Sequence, residues 1–240
     1  TDVAALEMTK WFDTNYHYLV PELNSAQQFK ADFSDLLAQV DRAKALNQPL
    51  KVVLPGLVSF LYLSRIVDAN TAEAEKHACE CGNDHADISA DQANLKFVDA
   101  LLPIYAALFD ELKARGVEYV QVDEPALVLD LAPEWQAAFE QVYYLLQRPD
   151  GLKLIVASYF ETLGANLNLA VNLPVAGLHI DITREKVGEF FWKKVIDQLP
   201  THKILSLGLI NGRSVWASDL VALNDIVQTA QKSLGERLWL

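Results

Sequence analysis

Cysteine and clustered positive charge are both scarce in this chain. Its 240 residues hold two cysteines, Cys79 and Cys81, one residue apart, which does not suggest a disulfide framework. Lysine and arginine never cluster and the formal net charge is −12, which argues against a phosphate-backbone partner, so no nucleic acid is expected. No apolar run approaches the roughly 18 residues that cross a bilayer, so no membrane partner is expected either. The opening residues, Thr1 to Glu7, are mildly acidic and lack the basic region and apolar stretch of a signal peptide, which makes a cytoplasmic location the expectation.

What is present is the material of one large core. Hydrophobic residues make up 51% of the chain and aromatics 10%, which argues against disorder over most of its length. Helical and strand-like segments alternate, the pattern of an α/β fold. Six strands are predicted: Lys51 to Leu54, Val117 to Val122, Leu152 to Tyr159, Gly177 to Ile182, Lys203 to Ile210 and the short Leu238 to Leu240. Between them, Leu95, Val98, Leu102, Tyr105, Leu108 or Phe109, and Leu112 recur at helical spacing over Asn94 to Arg115, with Pro103 as an expected kink. Asp219 is the expected N-cap of a helix carrying Leu220, Leu223, Val227 and Leu234. Strand, loop and helix units of this kind close into a (βα)8 barrel of about 250 residues when eight strands are available. The segment from Glu7 to Tyr18 is aromatic and order-forming, and the far end stops on the apolar Leu238-Trp239-Leu240, so both ends read as cut. The expected architecture is a single domain over residues 1–240, a TIM-type barrel incomplete at its amino-terminal end.

Parallel α/β barrels carry their chemistry where the carboxyl ends of the strands meet. Asp123 and Glu124 follow Val117 to Val122 directly and are therefore candidate site residues. Two readings stand for them: a ligand site, or carboxylates that satisfy loop amides at the rim. An acid and base pair working alone is the weaker idea, because adjacent strand residues point to opposite faces. Asn211 and Arg213 lie on a glycine-containing turn after another strand, where capping side chains are the plain account. His179, between Leu178 and Ile180, reads as a hydrogen-bonded core histidine, and His17, among three aromatics, reads likewise.

The string Glu7-Met8-Thr9-Lys10-Trp11-Phe12-Asp13-Thr14-Asn15-Tyr16-His17-Tyr18 with Pro21-Glu22, then Gln121-Val122-Asp123-Glu124-Pro125-Ala126-Leu127, then Gly208-Leu209-Ile210-Asn211-Gly212-Arg213 with Trp216, resembles the amino-terminal half of cobalamin-independent methionine synthases. The resemblance runs in order through nearly the whole chain. It implies a two-barrel enzyme in which a methyl group passes from 5-methyltetrahydropteroyl-oligoglutamate to homocysteine without cobalamin. It also implies that the carboxyl-terminal catalytic barrel, this domain's partner in the same polypeptide, holds zinc and homocysteine. The family's zinc ligands there are a His-x-Cys pair, a Glu and a Cys at strand ends. The strand that would supply the pair here reads Val156-Ala157-Ser158-Tyr159, and the Glu position falls near Asp181, so the catalytic zinc is expected outside this chain. Asp123, Glu124, Asn211 and Arg213 then stand as a possible vestigial strand-end site. For Lys10 the resemblance implies contact with the folate substrate through its oligoglutamate tail, the plain alternative being a solvated surface lysine. The alternative is a free-standing, non-catalytic binding protein for folate or another small molecule.

Residues 69–94 depart from the family pattern as an expected mobile insertion. Its His77, Cys79, Cys81 and His85 are of the types zinc prefers, but Cys-x-Cys is tighter than the usual spacing, and a site on one loop must order that loop. A mobile acidic loop with incidental thiols is the favoured reading, with a metal site as its alternative.

Overall fold

A computed structural model describes residues 6–12, 14–67, 92–148, 151–184 and 190–240. His77, Cys79, Cys81 and His85 lie outside the described residues. The chain opens with an antiparallel hairpin of β1 (Met8–Lys10) and β2 (His17–Leu19), in which Lys10 pairs with His17. A second small unit joins β3 (Glu22–Leu23) in parallel to β5 (Arg65–Ile66), on either side of α1 (Ser34–Lys44), β4 (Lys51–Pro55) and α2 (Leu57–Tyr62). Beyond come α3 (Val98–Ala114), β6 (Tyr119–Asp123), α4 (Pro133–Leu146), β7 (Lys153–Ala157), α5 (Leu167–Asn172), β8 (Gly177–Asp181), α6 (Phe191–Gln198), β9 (Ile204–Gly208), α7 (Leu220–Leu234) and β10 (Leu238–Trp239).

Six strands form one parallel sheet in the order β10-β9-β8-β7-β6-β4, so each strand lies beside the next one in the chain and every crossover carries helix. Successive strand side chains alternate between faces, and this alternation sorts the sheet. Val52, Leu54, Val120, Val122, Leu154, Val156, Leu178, Ile180, Leu205 and Leu207 are all buried, in one core with Phe109 and Leu112 of α3, Trp135, Phe139 and Val142 of α4 and Val195 of α6. The opposite face carries Lys51, Gln121, Asp123, Lys153, His179, Asp181 and Ser206. Register aligns Pro55, Asp123, Ala157, His179, Ser206 and Trp239 across it in one row. The sheet curls strongly about this polar side: the ring of Trp239, on one edge strand, meets that of Tyr119, one strand in from the other edge, at 4.9 Å in edge-to-face contact. Among the described strands the barrel is not closed, because β4 and β10 each pair on one side only.

All six predicted sheet strands are present, each ending within a few residues of its expected bounds. The helix expected over Asn94 to Arg115 begins as a 3-10 turn at Gln92–Phe97 and becomes α-helical from Val98, running through Pro103. Asn94, at the end of the 69–94 segment, is buried, with its amide donating to the carbonyls of Leu61 (3.0 Å) and Ser64 (2.7 Å). Asp219 caps α7 as expected, accepting from the backbone N–H of Val221 and Ala222. No described helix is long and apolar enough to cross a membrane.

Candidate functional site

Asp123 and Glu124 sit at the carboxyl end of β6 and part company there. Glu124 turns inward and is fully buried. Its carboxylate accepts from the backbone N–H of Ser59 at 2.7 Å and Val58 at 3.4 Å, at the start of α2, and from the Tyr143 hydroxyl at 2.8 Å. The helix needs acceptors at that end because its first N–H groups have no partner within it. Gly56 makes the fit possible: a Cβ on it would lie 2.0 Å from the Glu124 carboxyl carbon. Burial pushes the Glu124 carboxyl up to about 7, with the hydrogen bonds from Ser59, Tyr143 and Val58 pulling the other way. Burial, then the Glu124 charge, raises the Tyr143 hydroxyl well above its ordinary value.

Asp123 turns to the concave, polar side. It accepts from Gln121 Nε2 at 2.7 Å and from the Tyr159 hydroxyl at 3.4 Å, and Gln121 Oε1 in turn accepts from Lys51 Nζ at 2.5 Å. Burial raises the Asp123 carboxyl, against the hydrogen bonds of Gln121 and Tyr159 and the charge of Lys51. Asp123 and Tyr159 line a cavity of about 310 Å3 together with Trp11, Tyr18, Val53 and Phe60.

The hairpin carrying Lys10 is joined to this rim by aromatic rings. Trp11 meets Tyr18 at 5.4 Å and Phe12 at 5.3 Å, and Phe12 meets Phe160, in the loop after β7, at 5.5 Å. Phe12 (φ 54°) and Phe160 (φ 82°) both hold left-handed backbone conformations, which are costly for bulky residues and persist only where surrounding contacts enforce them. The Arg213 guanidinium lies 5.0 Å above the Phe160 ring, so the turn after β9 reaches the same aromatic cluster. Asn211 is exposed and its side chain accepts from the Arg213 N–H at 3.1 Å, a local turn. Lys10 is exposed on β1, one residue from Trp11.

His179 is mostly buried on β8, with Nδ1 2.9 Å from Ser206 Oγ, and burial lowers its pKa. His17 is exposed on β2, contrary to its reading as a core residue, because the hairpin is too small to enclose it. At the positions where zinc ligands would stand, polar groups serve the backbone instead. Ser158 Oγ donates to the His179 carbonyl, and Asp181 accepts from the N–H groups of Thr183 (2.8 Å) and Phe160 (3.3 Å). Among the described residues no group of three or more His, Cys, Asp or Glu side chains is placed to hold a metal ion. This donor set does not fit zinc.

Sequence reasoning did not single out Tyr159, Gln121 or Trp11. The first two carried a signal, since Gln121 shares a strand face with Asp123 and Tyr159 follows the strand directly beside it. Trp11 carried none, because only tertiary packing sets the hairpin against β4 and β7.

Comparison with known proteins agrees with this layout. The family description "Cobalamin-independent synthase, N-terminal domain" matches residues 1–235. A 5-methyltetrahydropteroyltriglutamate–homocysteine methyltransferase of Saccharophagus degradans is 44% identical over 236 residues, which cover 98% of this chain and 28% of that protein. The chain thus spans less than a third of the length of this relative. The fold is similar to that of a putative vitamin-B12-independent methionine synthase from Listeria monocytogenes (TM-score 0.65, 15% identity, 91% of this chain and 64% of that one). It is also similar to a B12-independent methionine synthase from a Shewanella species, solved with selenomethionine (TM-score 0.58, 17% identity, 93% of this chain and 63% of that one). With the family's pattern matched almost end to end on a curled parallel sheet, the chain belongs to the cobalamin-independent methionine synthase family, as its amino-terminal domain.

Proposed function

We propose that this chain is the folate-binding and scaffold domain of a methyltransferase that moves the methyl group of 5-methyltetrahydropteroyl-oligoglutamate to homocysteine, with the catalytic zinc in a carboxyl-terminal barrel outside this chain. The observation that carries the reading is the family match across residues 1–235. Zinc in that partner barrel would lower the pKa of the homocysteine thiol, so that it is present as a thiolate at neutral pH. The part taken by this chain is electrostatic and positional. A tail of carboxylates approaching a protein of net charge −12 needs a local cation. Lys10 offers one, exposed on a hairpin whose neighbouring Trp11 is fixed in the aromatic cluster. Ser158, Tyr159 and Asp181, engaged with backbone and neighbouring side chains, support a non-catalytic role for these strand ends.

The test is steady-state kinetics of the intact enzyme with Lys10→Ala. The apparent Michaelis constant for the oligoglutamylated folate should rise severalfold while turnover falls less, since a tail contact is made equally in ground and transition states. Unchanged kinetics would remove Lys10 from the site.

A further inference from the structure

The cavity beside Asp123 combines features the folate reading does not use. It measures about 310 Å3, at the lower end of the roughly 300–1,000 Å3 of small-molecule sites. At about 30 Å3 per water it has room for about ten water-sized groups. Its walls present the rings of Trp11, Tyr18, Phe60 and Tyr159, with Asp123 the one ionisable carboxyl among them. No ion pair to Asp123 occurs among the described residues: the Lys51 ammonium, whose charge reaches Asp123, donates to Gln121 instead. A carboxylate among aromatic rings is thus left with no cation in direct contact, and aromatic rings attract cations through their quadrupoles. Tyr159 is held by its own hydrogen bond to Asp123, and the loop behind it by the left-handed Phe160, so the walls are preorganised.

We propose that this cavity is a binding site for a small organic cation, a primary ammonium on an apolar body, with Asp123 taking the ammonium and the four rings enclosing the rest. The site is separate from Lys10, whose proposed ligand is an anion. It lies at the carboxyl ends of β4 and β6, where barrels of this kind place ligands.

The test is isothermal titration of the full-length natural gene product with phenethylammonium and with 2-phenylethanol, its neutral counterpart of like shape. Phenethylammonium should bind at least tenfold more tightly than the alcohol. Asp123→Asn, which keeps the shape of the side chain, should abolish that preference. Val53→Trp, placed on a wall residue that is 51% exposed and so tolerant of bulk, should fill the cavity and remove binding of both probes. Circular dichroism melts of each variant verify the fold; should Asp123→Asn fail to fold, the ammonium-to-alcohol ratio and Val53→Trp decide alone. Equal affinity for the two probes, a preference that survives in Asp123→Asn, binding that survives Val53→Trp, or no binding to the wild-type protein overturns the proposal. None of these outcomes depends on the kinetics of Lys10→Ala, so the two readings fail separately.

Discussion

At the scale of single residues, Asp123 and Glu124 show how one step along a chain changes chemistry. Both are carboxylates at one strand end, yet Glu124 is fully buried against α2 while Asp123 faces the cavity. The Glu124 carboxyl is raised from 4.5 to about 7, so the folded state holds its proton more firmly than the unfolded chain does. The stability this gives is fully present below about pH 4.5 and is lost as pH rises through about 7, on the order of 3 kcal/mol for a shift of that size in a fully buried group. Glu124→Gln, which mimics the neutral form, should therefore flatten this part of the pH dependence. In urea denaturation, the stability of wild type relative to Glu124→Gln should fall between pH 4.5 and 7. A difference that stays level over that window would refute the assignment. Lys203 is a buried cation of another kind: it sits beneath the end of α5, donating to the carbonyls of Val171 (2.6 Å) and Leu173, and burial lowers its pKa to about 8.

Elements are where patterning and packing can be compared. The Asp219 cap satisfies two of the orphan N–H groups of α7 from an exposed position. Asp219→Ala should lower stability by about 1 kcal/mol, visible as a thermal midpoint lower by a few degrees; a midpoint unchanged within error would show that water replaces the cap without cost. This cap and the six sheet strands were legible in the sequence, because a cap is a local signal and a strand buried under helices is a run of β-branched and large apolar residues. The hairpin of β1 and β2 and the pairing of β3 with β5 were not. Strands of two or three residues leave no periodicity to read, and their partners are selected by contact, as when Arg65 pairs with both Glu22 (2.7 Å) and Glu7. The 3-10 start of the helix before α3 was hidden for a similar reason, since Asn94 turns into the core to meet the carbonyls of Leu61 and Ser64.

For the whole molecule, the sheet is a curled segment of a barrel with a polar concave side. Lys51, Lys153 and Gln121 stand on that side, and Val53 on it is 51% exposed. Beyond β9, Val215 and Trp216 are 93% and 83% exposed. On the reading proposed above, of one domain within a larger enzyme, such groups have a reason to stay unburied. The intact mass of the natural gene product in its source cells should accordingly be three to four times the 26.8 kDa of this chain, as its 28% share of the Saccharophagus relative implies. A product of about 27 kDa would instead favour a free-standing binding protein.

The sequence by itself determined the class of fold, the six strands of the main sheet, the two strand-end carboxylates and the family, because each is written in local pattern: alternation, caps, and motifs of adjacent residues. Tertiary structure alone decided which carboxylate is buried beneath a helix and which faces a cavity, and it alone set Trp11, Tyr159 and Asp123 side by side. Those outcomes depend on the curl of the sheet and on how a distant hairpin packs against it, and contacts between residues more than a hundred positions apart leave no mark on the local pattern of either.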